Sequence, residues 1–260
     1  MTEQTELGQE LVEGEALVAR EVVKIYKGSL KPALNGLNFS VNQGEIFGLL
    51  GPNGAGKTTA ISIMSTLLRP TSGSITIYDI DVVRYPNEAK KFLSLVPQEI
   101  ALYHNLTARE NLRYFGRLYG LRGQQLENRI RESLELVGLK ERGDERVFTF
   151  SGGMKRRANL AAGILSRPRL LFLDEPTVGI DAQSRNMILE KLALLKNAGT
   201  SMIYTTHYME EAELLCSSVV IIDKGQSIAE GNPQELINRT PGCSSLQDLF
   251  FALTGKSIRD

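Results

Sequence analysis

The sequence predicts an α/β fold with a mainly parallel sheet, an N-terminal antiparallel β layer and a helical subdomain. Three observations lead to this prediction. Short apolar runs alternate with helical periodicity in the second half of the chain, a glycine-rich turn joins a buried strand to a helix, and the N-terminal strands show the two-residue alternation of a half-buried sheet. At 260 residues, the chain is long enough for one domain with a subdomain.

The chain divides into three predicted parts. Residues 1–15 are rich in glutamate and contain no base, so we expect a loose acidic tail. Residues 16–240 form the main domain, in which residues from about 99–167 have the periodicity of a helical insertion. Residues 241–260 form a C-terminal extension with apolar residues at the spacing of a small docked helix, namely Leu246, Leu249, Phe250 and Leu253.

The predicted elements follow in order along the chain. Strands are expected at residues 17–26, 37–41, 45–50, 74–78, 93–96, 170–173, 201–205 and 219–223, and helices at 58–68, 107–119, 124–137, 152–166, 182–197 and 208–216. Strand and helix alternate after residue 167, which favours a mainly parallel sheet with helices on its faces.

The glycine-rich turn fits the phosphate-binding pattern G-x-x-x-x-G-K-[ST] and lies between a predicted strand and a predicted helix, as that pattern requires. Backbone N–H groups of such a loop and the positive end of the helix dipole point at the same anion. A glycine-rich turn without a ligand is the structural alternative. The candidate nucleotide-binding residues are Gly51, Pro52, Asn53, Gly54, Ala55, Gly56, Lys57, Thr58 and Thr59.

Four side chains carry the expected chemistry at this edge of the sheet. Lys57 would reach the β- and γ-phosphates of the nucleotide, and the Thr58 hydroxyl would coordinate Mg²⁺. Asp174 and Glu175 follow an apolar strand, and ligands bind at the carboxyl edge of open α/β sheets. One carboxylate can hold Mg²⁺ while the next polarises an attacking water, so we expect Asp174 as a metal ligand and Glu175 as a catalytic residue.

Composition argues against several other classes of protein. Thirty basic and thirty acidic side chains give zero formal net charge, without the electrostatic footprint of a nucleic-acid binder. The apolar runs are far shorter than the roughly 18 residues that span a bilayer, and the N-terminus lacks a secretory signal. Cys216 and Cys243 have no metal-ligand spacing. We therefore expect a cytoplasmic protein with no nucleic-acid partner.

A second glycine-bearing loop, Ser151-Gly152-Gly153-Met154-Lys155, ends the helical insertion and opens a helix, which makes it another anion site. Here the chain resembles the nucleotide-binding subunits of ATP-binding cassette (ABC) transporters, whose signature loop reads Leu-Ser-Gly-Gly-Gln. Phe150 replaces that leucine and Met154 the glutamine, a variant similar to the drug- and antibiotic-resistance and sodium exporters. The resemblance covers nearly the whole chain and implies a P-loop NTPase (RecA-like) core.

The resemblance assigns roles to four further residues. Gln98 matches the glutamine that senses Mg²⁺ and the attacking water, and His207 the histidine that contacts the γ-phosphate. Tyr26 matches the aromatic residue that stacks on adenine. Asp181 lies in the loop that crosses to a partner cassette, although Ala182 stands where a proline is common. Without the resemblance, His207 would be taken as structural and Tyr26 as edge packing.

Two features of the helical insertion are explained by its structure more simply than by a binding function. Lys155-Arg156-Arg157 is interpreted as a solvated helix face, since no spread of bases continues it toward a nucleic-acid patch. Aromatic residues gather near Gln98, and core packing explains most of them, although the corresponding groove of the family receives a cytoplasmic helix of the membrane subunit. These residues are Tyr103, Tyr114, Phe115 and Tyr119.

The resemblance implies the ATP-hydrolysing subunit of an exporter, which binds ATP and Mg²⁺ and is peripheral on the cytoplasmic face of the cell membrane. Its expected partners are a second copy of itself or a similar ATPase subunit, and a separate integral membrane permease. The alternative is a soluble ABC ATPase that acts in repair, translation or iron–sulfur assembly. The chain has one cassette and lacks the coiled-coil insertion or zinc-binding cysteine pairs of such proteins. A nucleotide kinase or GTPase would leave the Ser151 loop and His207 unexplained.

Overall fold

Two β-sheets form the frame of the protein in a computed structural model, which describes residues 14–255. The smaller sheet is antiparallel and consists of β1 (Glu15–Lys24), β2 (Leu34–Asn42), β4 (Ser72–Ile77) and β5 (Ile80–Asp81), in the order β2-β1-β4-β5. The larger sheet consists of β3 (Ile46–Leu50), β6 (Leu93–Val96), β7 (Leu170–Asp174), β8 (Ser201–Thr205), β9 (Ser218–Asp223) and β10 (Gln226–Gly231).

The larger sheet is parallel except at one edge. Its strand order is β10-β9-β3-β8-β7-β6, and only β10 pairs with its neighbour in the antiparallel sense. The carboxyl ends of the other strands therefore meet at one edge of the sheet. This arrangement confirms the predicted α/β fold with a mainly parallel sheet and an N-terminal antiparallel layer.

The helices cover the faces of the larger sheet or form the helical subdomain. They are α1 (Lys57–Met64), α2 (Pro86–Ala89), α3 (Ala108–Leu118), α4 (Gly123–Leu136), α5 (Gly152–Ile164), α6 (Ala182–Asn197), α7 (Met209–Leu215), α8 (Pro233–Arg239) and α9 (Leu246–Thr254). In the helical subdomain α3, α4 and α5 contact one another, and α5 also contacts β6. That contact connects the subdomain to the parallel sheet.

The core has two parts, one on each face of the larger sheet. Along β7 the side chains alternate between them: Leu170 and Phe172 belong to the part that packs against the antiparallel sheet, and Leu171 and Leu173 to the part under the helices. All residues of β7 are buried, as a parallel strand covered on both faces requires. The apolar strand therefore holds Asp174, its last residue, in a fixed place.

Helix boundaries follow local capping. Thr107 is the N-cap of α3, where its hydroxyl accepts a hydrogen bond from the Glu110 N–H and the Glu110 carboxylate accepts one from the Thr107 N–H. This capping box satisfies two of the helix's otherwise unpaired donors. The helix predicted at 107–119 therefore begins one residue later, with Thr107 outside it.

The structure contains elements that the sequence did not predict, above all β10 and α8. β10 is a polar edge strand whose residues are alternately exposed and half-buried, so it lacks the apolar run that identified the other strands. It forms a hairpin with β9 through Lys224 and Gly225, both with positive φ, as tight hairpin turns require. α2 and β5 are too short to have been recognised from periodicity.

The two ends of the chain are described in part. The acidic tail predicted at residues 1–15 lies outside the described residues except for Gly14 and Glu15, and Glu15 already begins β1. At the other end, α9 buries Leu246, Leu249 and Phe250, whereas Leu253 is exposed. The boundary between residues 240 and 241 stays a prediction. None of the helices in the described part of the chain is long and apolar enough to cross a membrane.

Candidate active site

The phosphate-binding pattern lies between β3 and α1, in the strand-to-helix context that the sequence predicted. Gly54 and Gly56 have φ values of 79° and 111°, which glycine adopts without steric cost. A Cβ atom on Gly56 would lie 2.6 Å from the Ala33 carbonyl oxygen, and one on Gly51 would collide with the Ile222 carbonyl oxygen. The loop therefore needs these glycines for both its curvature and its packing.

Lys57, the first residue of α1, lies against this loop. Its Nζ atom donates hydrogen bonds to the Gly51 carbonyl at 2.6 Å and the Pro52 carbonyl at 3.2 Å. Burial lowers the pKa of Lys57, and the charges of Glu175 and Asp174 act in the opposite direction. The ammonium group thus lies within the electrostatic field of both predicted carboxylates.

Asp174 ends β7 as a buried carboxylate. The Thr205 hydroxyl donates a hydrogen bond to its Oδ1 atom at 2.8 Å. Burial raises the pKa of Asp174 and the charge of Glu175 raises it further, whereas the bond from Thr205 and the charge of Lys57 lower it. A bound cation would stabilise the ionised form of this carboxylate.

Glu175 directly follows β7 in an unusual backbone conformation. Its φ of 46° is in the left-handed region, which is uncommon for residues other than glycine and concentrates at functional sites. Its N–H donates to the Thr205 hydroxyl at 3.0 Å and the Thr205 carbonyl at 3.2 Å. Thr205 therefore stabilises the strained turn.

The side chain of Glu175 brings two other predicted residues together. Gln98 Nε2 donates to Glu175 Oε2 at 3.0 Å, and His207 Nδ1 lies 3.2 Å from the same oxygen. A carboxylate oxygen accepts hydrogen bonds, so this contact is a hydrogen bond when His207 Nδ1 carries the proton. These residues follow β6, β7 and β8, which are adjacent strands. We name Gln98, Glu175 and His207 the carboxylate cluster.

Thr205 is a site residue that sequence reasoning missed. It is buried at the last position of β8 and pairs directly with Asp174 in the parallel register. Its hydroxyl contacts both Asp174 and the Glu175 backbone. A threonine at the end of an apolar strand gives no sequence signal for this role, because the contact depends on which strand lies beside β7.

The interpretation of Lys155-Arg156-Arg157 as a solvated helix face was wrong for both arginines. Arg156 donates to the Gln98 carbonyl oxygen, and Arg157 donates to the Val137 carbonyl at 2.9 Å. Both side chains are half-buried, and burial lowers the pKa of each guanidinium. The helical periodicity of α5 did not reveal this, since the acceptors are backbone oxygens of distant segments. Arg156 therefore connects the signature helix α5 to the backbone of the carboxylate cluster.

The Ser151 loop lies beside the predicted dimer loop of the same chain. Ser151 is the N-cap of α5, and its hydroxyl accepts from the Met154 N–H at 3.2 Å. Asp181 is the N-cap of α6 and accepts from the Ser184 N–H at 2.9 Å. A Cβ atom on Gly153 would collide with the Ser184 side chain. Within residues 14–255, no hydrogen bond joins the Ser151 loop to the phosphate-binding loop.

Tyr26 follows β1 near the start of α1. Its side chain is exposed, at 42%, and its hydroxyl lies 3.2 Å from the Thr59 hydroxyl. Lys24 Nζ lies 5.5 Å from the centroid of the Tyr26 ring. The ring is thus accessible to a flat ligand beside the phosphate-binding loop, and its role in stacking stays a prediction.

The aromatic residues near Gln98 are more exposed than the sequence interpretation expected. Phe115 packs against the core, but the three tyrosines are exposed, so core packing was the wrong explanation for them. Tyr103 and Tyr114 meet edge to face with ring centroids 5.1 Å apart. The exposed tyrosines are Tyr103, Tyr114 and Tyr119.

Comparison with known proteins shows to which family this chain belongs. Residues 34–178 match the family described as ABC transporter, which is more than half of the chain. The chain belongs to the ABC transporter family. The match begins at β2 and ends just after the Asp174-Glu175 pair, so it includes the phosphate-binding loop, Gln98 and the Ser151 loop. This ABC protein is therefore an ATP-binding ATPase with the P-loop NTPase fold.

Individual relatives of this ABC ATPase support its placement among exporters. It is 48% identical over 231 residues to the linearmycin resistance ATP-binding protein of Bacillus subtilis (strain 168), covering 89% of this chain and 74% of that protein. It is 43% identical to a daunorubicin resistance ATP-binding protein of Streptomyces coeruleorubidus, covering 89% and 71%. These relatives favour the expected exporter ATPase over the alternative with a non-transport target.

A solved structure shows the same fold. The ATP-binding subunit of an ABC transporter superposes with a TM-score of 0.82 at 30% identity, covering 92% of this chain and 99% of that one. The match to the ABC transporter family implies paired ATPase subunits and a partner transporter, and the identity of those partners stays a prediction.

The donors at the nucleotide edge fit a magnesium nucleotide. Thr58, Asp174 and Gln98 supply hydroxyl, carboxylate and amide oxygens, and Mg²⁺ prefers oxygen ligands. Residues 14–255 contain no cluster of three or more His, Cys, Asp or Glu that could hold a metal. Mg²⁺ is usually bound by one or two carboxylates together with the phosphates of a nucleotide, and Asp174 is one such carboxylate.

Proposed function

We propose that this ABC ATPase drives an exporter by pairing with a second copy of itself, or with a similar subunit, around ATP. The observation that carries the proposal is the carboxylate cluster. Gln98 and His207 both contact the Glu175 carboxylate, whose charge acts on the buried Lys57 of the phosphate-binding loop. One chain thus supplies groups for phosphate binding and for orienting water at the same sheet edge.

Each predicted residue has a role in this proposal. Residues 51–59 bind the triphosphate, with Lys57 on the β- and γ-phosphates, and Tyr26 stacks on adenine. Thr58, Asp174 and Gln98 hold Mg²⁺, which when bound neutralises charge on the β- and γ-phosphates. Glu175 orients the attacking water, while His207 contacts the γ-phosphate through the ring nitrogen that does not face Glu175.

The Ser151 loop acts on the ATP of the partner. Ser151 and Gly152 are exposed at the start of α5, where N–H groups and the helix dipole favour an anion. Gly153 and Met154 continue the same turn, and Asp181 lies in the neighbouring loop that would cross to the partner. The lack of any hydrogen bond between the Ser151 and phosphate-binding loops within the described residues supports this division between two chains.

The membrane partner is proposed to dock beside Gln98. Tyr103, Tyr114 and Tyr119 are exposed in the helical subdomain that follows Gln98 along the chain, and amphipathic aromatic side chains are typical of interfaces. The ATPase would then be peripheral on the cytoplasmic face of the membrane. The names of the resistance ATP-binding proteins that it resembles support export as the direction of transport.

The test is to purify the chain with the product of a neighbouring reading frame that contains membrane-spanning segments. The complex should hydrolyse ATP in the presence of Mg²⁺, and the complex with Lys57→Ala should not. A chain that hydrolyses ATP but copurifies only with soluble proteins would contradict the exporter. Normal hydrolysis by the Lys57→Ala complex would contradict the proposed site.

A further inference from the structure

A buried carboxylate outside the proposed catalytic groups, Glu211, lies in the first turn of α7 and is 3% exposed. Its Oε2 atom accepts hydrogen bonds from three hydroxyl groups. The donors are Tyr204 at 2.6 Å, Thr206 at 2.8 Å and Thr177 at 2.9 Å. The three donors come from β8, from the residues just after it, and from the loop after β7, so one oxygen connects three segments.

The second oxygen of this carboxylate has a different environment. Glu211 Oε1 lies 3.5 Å from Arg185 Nε, and neither buried atom has a hydrogen-bond partner among the described residues. Arg185 belongs to α6, and its guanidinium carbon lies 4.2 Å from the centroid of the Tyr208 ring. The Tyr208 ring centroid in turn lies 4.3 Å from that of His207. Glu211 and Arg185 therefore form a close ion pair, and the Arg185 guanidinium of this pair lies against the ring of Tyr208, the residue after His207.

Glu211 also fixes the backbone on both sides of His207. The Thr206 hydroxyl that donates to Glu211 accepts a hydrogen bond from the Tyr208 N–H at 2.9 Å. This bond closes the backbone around His207 into a tight turn. The orientation of the imidazole toward Glu175 thus depends on a turn whose anchor is Glu211.

The same carboxylate reaches the loop that leads to the predicted dimer contact. Thr177 lies between Glu175 and Asp181, and its hydroxyl is bound to Glu211. Arg185 lies one helical turn after Asp181, the N-cap of α6. Both ends of the segment from Glu175 to α6 are therefore connected to Glu211.

A role in stability alone does not account for a buried carboxylate at this place. Burying an ionised carboxylate and a guanidinium costs free energy that their attraction often only balances, and apolar residues of similar volume can replace such pairs without loss. Buried charged groups of this kind can instead fix one particular arrangement of the surrounding segments. The segments fixed here carry His207 and the dimer loop.

We propose that Glu211 is a positioning residue that couples the dimer loop, residues 178–181, to His207. The inference rests on the proposed function, which assigns His207 to the γ-phosphate and Asp181 to the partner. Arrival of the partner at Asp181 would act on Thr177 and Arg185, and Glu211 would pass the resulting change to the turn around His207. ATP would then be hydrolysed fastest when both cassettes are in place.

The test uses Glu211→Gln, which removes the charge but retains the volume, with Glu210→Gln as the matched control. Glu210 is exposed on the same helix. In the permease complex, Glu211→Gln should lower kcat about 10- to 100-fold, the range expected for a misplaced catalytic group, with KM for ATP nearly unchanged. Glu210→Gln should leave both constants unchanged. Normal kcat in a folded Glu211→Gln complex would overturn the proposal.

A second measurement separates positioning from folding. The chain has two histidines, His104 and His207, so their imidazole NMR signals can be assigned by substitution. Glu211→Gln should shift the signals of His207 and leave those of His104, which is exposed in the helical subdomain, in place. If Glu211→Gln does not fold, Thr177→Val removes one of the three hydroxyl donors and should shift the same signals. Unchanged His207 signals in the folded variant would overturn the proposal.

A third variant separates this inference from the proposed function. In a His207→Ala complex, adding Glu211→Gln should cause no further loss of kcat, because the positioned group is already gone. An additional loss in the double variant would overturn the coupling through His207. Normal turnover by His207→Ala alone would instead contradict the proposed function, and the NMR shifts would still decide whether Glu211 positions the imidazole.

Discussion

The carboxylate cluster and the Ser151 loop differ in how much of their environment one chain supplies. Gln98, Glu175 and His207 are joined by hydrogen bonds within the chain, and Thr205 stabilises the backbone beneath them. Among residues 14–255, the hydrogen bonds of Ser151 go to the first turn of its own helix, and Ser151 is exposed. The carboxylate cluster is thus assembled within one chain, whereas we expect the Ser151 loop to need a ligand held by another molecule.

This difference agrees with the proposed division of the site between two copies of the fold. A cluster assembled from adjacent strands is positioned by the sheet, which is rigid. A loop at the start of a surface helix offers an anion site whose ligand must come from elsewhere. Changes at the cluster should therefore act within one chain, and changes at the Ser151 loop should act across the pair.

The largest expected effect comes from the groups within one chain. Lys57→Ala and Glu175→Gln should both lower turnover by about 10²–10⁴-fold, the range typical for losing a positioned catalytic group. Only Lys57→Ala should also lose nucleotide binding, because it removes the charge on the phosphates. Glu175→Gln should bind ATP and accumulate as an ATP-filled dimer, measured by light scattering. Near normal hydrolysis by Glu175→Gln would show that Glu175 does not orient the water.

The next effect tests the division between chains directly. Lys57→Ala and Ser151→Arg should each be inactive alone. In a homodimer of either variant, both sites lack one of the two loops, the Lys57 loop in the first variant and the Ser151 loop in the second. In a mixed dimer the intact Lys57 loop of one chain faces the intact Ser151 loop of the other, so one complete site returns and some ATPase activity with it.

Association of the two variants must be followed beside their hydrolysis. If mixed dimers form with the permease present and activity stays at the level of either variant alone, then either the shared site or the independence of its two copies is wrong. Lys155→Gln mixed with Lys57→Ala is a useful control, since Lys155 is the last residue of the Ser151 loop and is not among the four residues proposed to act on the partner's ATP.

A smaller effect is expected at the adenine end of the site. Tyr26→Ala should weaken ATP binding about 5- to 150-fold, because base–aromatic stacking contributes about 1–3 kcal/mol per base. Tyr26→Phe retains the ring and loses only the contact with the Thr59 hydroxyl, so it should bind ATP almost normally. Equal losses in the two variants, measured by calorimetry, would assign the effect to the hydroxyl group.

The smallest effect should come from Arg156, which extends the comparison to the connection between α5 and the cluster. Arg156→Gln should lower kcat about 2- to 10-fold, in line with the net value of one hydrogen bond, by releasing the Gln98 backbone. Lys155→Gln is the neighbouring control and should have no effect. If both substitutions reduce turnover equally, the general positive charge of α5 matters and the bond to Gln98 does not.

Much of the fold could be predicted because its elements are strongly patterned. The buried strands β7 and β8 are apolar runs, and α6 was predicted at its observed bounds. β10 escaped prediction since an edge strand needs no apolar residues. The solvent exposure of the two arginines of α5 was predicted incorrectly, because a charged side chain is expected to be solvated when its distant acceptor is not known.

The sequence by itself determined the local motifs from which the candidate site was predicted. The pattern around Lys57, the Asp174-Glu175 pair and the Ser151 loop are local arrangements, in which neighbours along the chain supply the glycines, caps and charges that a phosphate needs. The phosphate-binding loop could be predicted for that reason, and the signature role of the Ser151 loop came from its resemblance to the family.

Only the tertiary structure decided which of these ends meet. β6, β7 and β8 are adjacent in the sheet although more than seventy residues separate β6 from β7 along the chain. That adjacency places Gln98 and His207 on one carboxylate oxygen, Thr205 under Asp174, and Glu211 between Thr177 and Thr206. Such contacts depend on strand order and register, which arise from packing of the whole core and leave no local pattern in the sequence.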